Sequence, residues 1–357
     1  MKSIYHLIIA GGSGSRFWPK SRKKKPKQLL NLLGTESMIR LTYNRLEKIS
    51  SKENIFIIAS ESLCKKIHKE IPKIPIKNMI IEPKGKNTAP AIGLAASHIH
   101  QKDPNAIMGV FPADHLIEDD KNFKATIDKA IKLILNESAL VTIGKKPTYP
   151  STGYGYINFD SKGTNDEDEY RVNNFTEKPD LKTATKFLNT GNYFWNTGIF
   201  FWKTKSILSA IKSYVPELHQ SLNIIYKNIG SSNYNHILTK QWNLLNSISI
   251  DYAILEKSNN LYMVKAEFKW SDLGTWKSLF NSLKKNKENN HYQGDVISLN
   301  SKGNLVISPD RLTAVIGIQN MAIINLNDVT LIVPHEESES IKDIVNMLES
   351  LNRNEYL

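Results

Sequence analysis

The sequence predicts an α/β fold: a mostly parallel mixed sheet covered by helices, followed by a small all-β unit. Three observations carry this. From Ile4 to Ile143, short apolar runs alternate with segments of helical period, the pattern of strands buried on both faces by crossover helices. Lys284–Asn290 (KKNKENN) then offers a linker with no apolar residue. After it, Val296–Val333 shows short apolar runs at even spacing and no helical period. The expected domains are residues 1–283 and 291–357.

The elements follow in order. Ile4–Ala10 is an apolar run, and Ile39, Tyr43 and Leu46 recur at helical spacing. Asn54–Ser60 reads as a strand, Glu61–Glu70 as a helix and Met79–Ile81 as a short strand. Thr88–His100 is alanine-rich with helical spacing; Ala106–Phe111, Phe123–Leu135 and Ala139–Ile143 read as strand, helix and strand. Further on the pattern is mixed. Tyr154–Phe159, Tyr170–Phe175, Trp195–Trp202 and Leu261–Phe268 read as strands, and Leu181–Leu188, Pro216–Ile229 and Asp251–Lys257 as helices. Ser161–Glu169 reads as a polar, acidic loop, and Ser340–Leu351 as a closing amphipathic helix.

Composition narrows the class. The 357 residues are 40% hydrophobic, enough for a sizeable core. No apolar run approaches the roughly 20 residues that span a bilayer. Met1–Ala10 runs into glycines and charge without a small-residue cleavage site, and so reads as a first strand, not a signal peptide. The single cysteine, Cys64, excludes an internal disulfide and fits a reducing, cytoplasmic setting. No motif surrounds Cys64, which reads as a half-buried helix residue. The net charge of +12 admits nucleic acid, anionic lipid or a small anionic substrate. Seven cations fall between Arg16 and Lys27, while the remaining lysines are scattered.

The first strand ends in Ala10-Gly-Gly-Ser-Gly-Ser-Arg16. Glycines after a strand let the backbone turn tightly and bring amides against phosphate oxygens. Phe17 stands where a dinucleotide motif needs glycine or alanine, and Arg16-Phe17 where a P-loop needs lysine and a hydroxyl residue. This is therefore a glycine loop of another kind, with an arginine whose fork suits phosphate. In Lys20–Gln28, Pro26 stiffens the chain beside Lys27, which marks Lys27 as the substrate contact and Lys23–Lys25 as surface. No aromatics interleave with these cations, which argues against nucleic acid.

Asp114 closes a strand in Phe111-Pro-Ala-Asp-His. Ligands of open α/β sheets gather beyond the carboxyl ends of strands, where a carboxylate suits a magnesium ion shared with phosphates. Asp272, in Lys269-Trp-Ser-Asp-Leu-Gly-Thr-Trp276, is a second such carboxylate. Turn and helix-cap roles are the alternatives for both. No nucleophile–base constellation is visible. His98 and His100 are two apart on a helix and face different directions, so they cannot clamp one metal.

With Glu177-Lys-Pro179 added, these blocks resemble the sugar-1-phosphate nucleotidyltransferases. Glu82-Pro-Lys-Gly-Lys-Asn-Thr-Ala-Pro90, Gly191-Asn-Tyr-Phe-Trp-Asn-Thr-Gly198 and Trp270–Trp276 are similar to the mannose-1-phosphate guanylyltransferase branch. The resemblance runs in order from about residue 4 to 280. It implies a Rossmann-like nucleotidyltransferase domain and a small C-terminal left-handed β-helix. It implies that Gly11, Gly12, Gly14, Ser15, Arg16 and Lys27 hold GTP phosphates and that Asp114 and Asp272 bind Mg²⁺. Glu82, Asn87 and Ala89 would lie near guanine and ribose, and Gly155, Glu177, Lys178 and Asn196 on the sugar phosphate. Phe194 and Trp195 read as core.

Two departures stand out. The usual Leu-Trp-Pro-Leu after the loop arginine is here Phe17-Trp-Pro-Lys20, which sets a charge where an apolar residue is usual. Many relatives carry a second, isomerising domain; this chain stops at Leu357, and a single activity is expected.

The expected reaction is GMP transfer from GTP to α-D-mannose 1-phosphate, with Arg16, Lys27 and Mg²⁺ stabilising charge and Lys178 orienting the attacking phosphate. GTP and mannose 1-phosphate are thus the expected partners, with neither nucleic acid nor membrane, and the small β tail offers a homodimer contact. The rivals are the same chemistry on another nucleotide or hexose phosphate, and a non-catalytic subunit that senses nucleotide sugars.

Overall fold

A computed structural model describes residues 3–136, 139–160 and 168–357. The acidic loop read at Ser161–Glu169 lies outside the described residues as far as position 167. The chain divides into two compact units, each assembled from separate stretches. The first comprises residues 1–11, 42–113 and 117–270; the second comprises 12–41, 114–116 and 271–357.

The first unit is built on a nine-stranded sheet. Its strands are β1 (Ile4–Ile9), β2 (Ile55–Ser60), β3 (Met79–Glu82), β4 (Ile107–Pro112), β5 (Leu140–Lys145), β6 (Tyr156–Phe159), β7 (Glu169–Thr176), β8 (Tyr193–Lys203) and β9 (Leu261–Lys265). Their spatial order is β3-β2-β1-β4-β8-β5-β9-β7-β6, with β8 also pairing β6. β3, β2, β1 and β4 are mutually parallel. β8 runs antiparallel to both β4 and β5, and β9 is parallel to β5. The sheet is therefore mixed, as expected, with its parallel half at the N-terminal end of the chain. The apolar runs of β1, β2 and β4 are buried on both faces, which is why they lack alternation.

Small residues fix one face. In the helix Thr88–Lys102, every residue from Ala89 to Ser97 is buried. A Cβ on Gly93 would come 2.5 Å from Leu222 Cδ1 and 3.2 Å from Ile211 Cδ1. The alanines and this glycine thus let the helices Thr204–Tyr214 and Pro216–Tyr226 approach closely. His98 faces the Tyr234 hydroxyl at 2.6 Å and His100 the Thr204 hydroxyl at 3.0 Å, so the two imidazoles do point apart. Cys64 is buried, and burial pushes its thiol up to about 11, which leaves it unreactive.

The second unit holds four strands: β10 (His291–Leu299), β11 (Leu305–Ile316), β12 (Met321–Asn325) and β13 (Thr330–Pro334). β10, β11 and β12 stack in parallel, and β13 closes antiparallel. A β-helix coil must satisfy polar groups inside its turns. Here Asn290 Oδ1 accepts from the Asn304 amide at 2.8 Å, and Asn304 Oδ1 accepts from the Met321 amide at 3.0 Å. One asparagine per coil thus bonds the next. Val306, Val315 and Ile323 form the coil's own cluster, and on the other face Leu305, Ile307, Ala322 and Ile324 pack with Phe17, Trp18, Leu30, Leu273 and Trp276. Trp276 Nε1 donates to the Trp18 carbonyl at 3.1 Å, and Trp18 Nε1 to the Tyr356 carbonyl at 2.8 Å. No helix among the described residues is long and apolar enough to cross a membrane.

Candidate functional site

In the second unit the glycine loop is organised around Lys27. Ser15–Phe17 form one 3-10 turn, with Gly14 at its N-cap in left-handed backbone, φ 66°. Such a turn leaves its first amides without internal partners. The loop's carbonyls are tied down instead. Ser13 O accepts from the Lys27 amide and the Ser21 hydroxyl, and Gly12 O from the Gln28 side chain. A Cβ on Gly14 would lie 2.3 Å from Lys27 Cβ, whereas nothing lies within 4 Å of one on Gly11 or Gly12. Gly14 is therefore a packing glycine. Gly11 and Gly12 leave open space over exposed backbone, and Gly12 also needs φ 77°.

Lys27 is only 6% exposed. Its Nζ lies 2.8 Å from Asp114 Oδ2 and donates to the Asp272 carbonyl at 2.8 Å. One ammonium thus joins the two carboxylate residues that sequence placed 158 positions apart. Burial disfavours the charged form of Asp114, but the Lys27 charge, His115 and the Lys27 hydrogen bond more than offset it and hold the carboxyl below its usual range. The cap alternative for Asp272 fails, because Thr275 caps the following helix in a capping box with Ser278. Asp272 Oδ1 accepts from the Gly274 amide at 3.0 Å instead, and Leu273 between them has φ 44°. Left-handed backbone at a buried leucine is strained and gathers at functional positions. Arg16 does not reach this group: its Nε pairs with Glu339 at 2.8 Å.

Two carboxylates suit magnesium, a hard cation that takes one or two such ligands and completes its shell with phosphate oxygens and water. Among the described residues no group of three or more His, Cys, Asp or Glu is set to hold a metal. Asp114 and Asp272 could supply those one or two carboxylates.

In the first unit a second cluster forms around Asn196. Asn196 donates to Asp251 Oδ1 at 3.0 Å and accepts from Thr142 at 2.9 Å and from the Gly198 amide at 3.1 Å. Its own amide donates to the Gly155 carbonyl at 2.8 Å. A Cβ on Gly155 would come 2.5 Å from Glu177 Oε2, so this position requires close approach. Glu177 pairs with Lys178, which has φ 45°. The sugar-phosphate set proposed from sequence is thus brought together. Phe194 and Trp195 are buried, at 6% and 5% exposure.

Asp251 is the residue that sequence reasoning missed. Burial, then the Glu177 charge, raise its carboxyl to about 7, against a smaller opposing effect of Lys178. A raised acid is stabilising to the fold while protonated, and that contribution is lost as pH climbs from about 4 through 7. At about 1.4 kcal/mol per unit, discounted for partial exposure, roughly 2 kcal/mol is at stake. Asp251→Asn is expected to remove this acid-favoured component, so its melting temperature relative to wild type should rise between pH 5 and pH 8. Parallel melting shifts would show that Asp251 does not titrate in this range.

The Glu82–Pro90 segment is held by residues 242–250. Lys84 O accepts from Trp242 Nε1 at 2.6 Å, Lys86 Nζ donates to Leu245 O at 2.6 Å, and Thr88 Oγ1 accepts from the Ile250 amide at 2.8 Å. Asn87, at φ 70°, caps the following helix by accepting from the Thr88 amide. Glu82 is buried, which raises its carboxyl to about 7. Ala89 is fully buried, and its amide donates to Ile248 O. Its side chain helps pack the segment.

A nucleotidyl transferase family model matches residues 5–289, and a mannoseP isomerase/GMP-like β-helix domain matches residues 294–348. The chain belongs to the nucleotidyl transferase family. Among the relatives of this transferase, the Escherichia coli mannose-1-phosphate guanylyltransferase is 34% identical over 98% of this chain and 76% of its own length. The xanthan biosynthesis protein XanB of Xanthomonas campestris pv. campestris (strain B100) is 32% identical over 99% of this chain and 75% of its own. A crystal structure described as mannose-1-phosphate geranyltransferase from Thermus thermophilus superposes with TM-score 0.88 at 27% identity, covering 98% of this chain and 100% of that one. The β-helix-like C-terminal unit expected from the sequence is thus shown both by the strand stacking and by its own domain match.

Proposed function

We propose that this transferase moves GMP from GTP to α-D-mannose 1-phosphate, giving GDP-mannose and pyrophosphate, in the cytoplasm. The observation that carries the reading is the similarity to a mannose-1-phosphate guanylyltransferase over 98% of this chain and 76% of that protein, together with the grouping of Asp114 and Asp272 on Lys27. The proposal divides the domains in the 284–290 stretch, near the junction where the first family match ends at 289 and the second begins at 294.

The sugar phosphate is largely dianionic at neutral pH, its second pKa being about 6, so no general base is needed. One of its oxygens bonds to the α-phosphorus in line. The bond from that phosphorus to the bridging oxygen breaks, and its electron pair leaves on pyrophosphate. Catalysis is then alignment and charge neutralisation. In this proposal the amides of Gly11, Gly12 and Ser15 receive the triphosphate, Gly14 seats the loop on Lys27, and Lys27 and Arg16 offset charge on the phosphates. Asp114 and Asp272 would hold Mg²⁺, which supplies further neutralisation when bound. Glu82 and Asn87, with Ala89 holding their segment, read guanine and ribose. Gly155, Glu177 and Asn196 read the sugar, and Lys178 orients its phosphate. The homodimer contact is proposed on the face of Leu299 and Ile316, register partners exposed at 59% and 69%.

Pyrophosphate release from four nucleoside triphosphates against several hexose 1-phosphates tests the reading. Turnover is expected with GTP and mannose 1-phosphate; preference for another pair by tenfold in kcat/KM reassigns the substrates, and no turnover with any pair overturns the activity. Arg16 supplies a second check. Its pair with Glu339 is largely exposed, at 42% and 60%, and such pairs contribute about 0–1 kcal/mol. Glu339→Gln is therefore expected to lower KM for GTP by about two- to fivefold with kcat unchanged. A raised KM would mean that Glu339 positions Arg16 instead of competing for it.

A further inference from the structure

The second unit carries a cavity of about 720 Å³ that none of the residues assigned to either substrate lines. Four cations border it, Lys20, Arg22, Lys24 and Lys25, with the amides of Asn31 and Gln293 beside them. No carboxylate among the described residues lines it. Asp328, which does not line the cavity, accepts from both terminal nitrogens of Arg22, at 2.6 and 2.8 Å. Lys20 is half-buried, and burial together with the positive charge of Lys25 pushes its ammonium below the usual lysine range. Like charges gathered around one concave space, with amide donors and no acid on the wall, destabilise the empty site and favour an anion in it.

We propose that this cavity binds a small, multiply charged phosphate anion, at a place distinct from the loop of Gly11–Arg16 and from Lys27, Asp114 and Asp272. The anion is a free polyphosphate or phosphate ester, not nucleic acid. The cavity is too local for a duplex, and no aromatic among the described residues lines it to stack a base.

Titration calorimetry of the full chain with inorganic tripolyphosphate at about 0.1 M ionic strength, where exposed charges still interact over about 10 Å, tests this. The expected result is a class of sites weakened at least tenfold in Lys20→Leu/Lys25→Ala and kept within threefold in Lys20→Arg/Lys25→Arg. Guanylyltransferase turnover without tripolyphosphate should stay within twofold in both variants, which separates this site from the substrate reading. Thermal melts check that each variant is folded, and the single Lys25→Ala change replaces the double variant if that one is not. Three results overturn the proposal: no binding by wild type at millimolar tripolyphosphate, equal affinity in the Leu/Ala variant, or loss as large in the Arg/Arg variant. Tighter binding of a random-sequence DNA duplex, lost in the same Leu/Ala variant, also overturns it by making the patch a nucleic-acid surface.

Discussion

Lys27→Ala is expected to lower kcat by at least about 100-fold. Removing one preorganised group that stabilises transition-state charge costs about 100- to 1,000-fold, and Lys27 has two further roles. Its Nζ links Asp114 to the Asp272 carbonyl, so its loss disorders both carboxylate residues. It also leaves the Asp114 carboxylate, 23% exposed, without its partner. Breaking a fully buried pair costs about 3–5 kcal/mol; partial exposure reduces this to roughly 1–3 kcal/mol here. The pH dependence follows from the sign of the Asp114 shift. A carboxyl held low in the fold stabilises it above the unfolded pKa of about 3.9, and that stabilisation is lost as pH falls through the folded value. Without Lys27, burial acts with less opposition and the carboxyl rises. Melting curves from pH 3 to 7 should therefore show the variant's deficit largest near pH 7 and narrowing as pH falls toward 3, because only wild type loses the Lys27-held stabilisation on acidification. Wild-type kcat in the variant would remove Lys27 from catalysis while leaving the substrates unaffected.

The parallel half of the sheet was legible because its chemistry is local. β1, β2 and β4 are apolar throughout, and only a strand buried on both faces reads that way. The direction of Tyr193–Lys203 was not legible: an apolar run has the same pattern whether its neighbours run parallel or antiparallel. The helices Thr204–Tyr214 and Tyr234–Leu244 were missed because their starts carry no working signal. Neither Lys203 nor Asn233 makes a side-chain cap hydrogen bond, and capping is the strongest local mark of a helix start. The second unit's composition was hidden for another reason. Residues 12–41 and 114–116 pack with residues 271–357, and no local pattern announces a contact between stretches so far apart.

The candidate site divides along the same line. Residue types that chemistry restricts were readable: glycines after a strand, a lysine behind a proline, aspartates at strand ends. Residues whose meaning comes from a distant partner were not. Asp251 sits in Ser-Ile-Ser-Ile-Asp-Tyr-Ala, which gives no hint that Asn196 will donate to it. Glu339 stands in Glu336-Glu-Ser-Glu-Ser340 with nothing local to single it out, yet it pairs with Arg16. Leu273 and Lys178 are of types that avoid left-handed backbone, so their conformation could come only from the surrounding fold overriding a local preference.

Gly14, and not Gly11 or Gly12, is the glycine whose substitution should cost most. Gly14→Ala meets two independent obstacles. Its φ of 66° costs an L-residue about 1–2 kcal/mol. Its new Cβ would also sit 2.3 Å from Lys27 Cβ, and a Cβ cannot rotate away as a side-chain tip can. Either the loop lifts or Lys27 shifts. Lifting breaks the Lys27 amide bond to Ser13 O and moves the turn that carries Arg16. Shifting pulls Nζ from its 2.8 Å contacts with Asp114 and Asp272. Misplacement by about 1 Å is enough to cost about 100-fold in an aligned reaction, so kcat is expected to fall about 100-fold, and the melting temperature with it. Gly11→Ala is the control, because nothing lies within 4 Å of its Cβ and its backbone is not left-handed. It should leave the melting temperature within a few degrees while raising KM for the triphosphate, since the methyl group would occupy space over the exposed loop. If Gly14→Ala keeps wild-type kcat, Lys27 is not seated by the loop, and the two must act separately. If Gly11→Ala destabilises as much as Gly14→Ala, the distinction between a packing glycine and an open one is wrong.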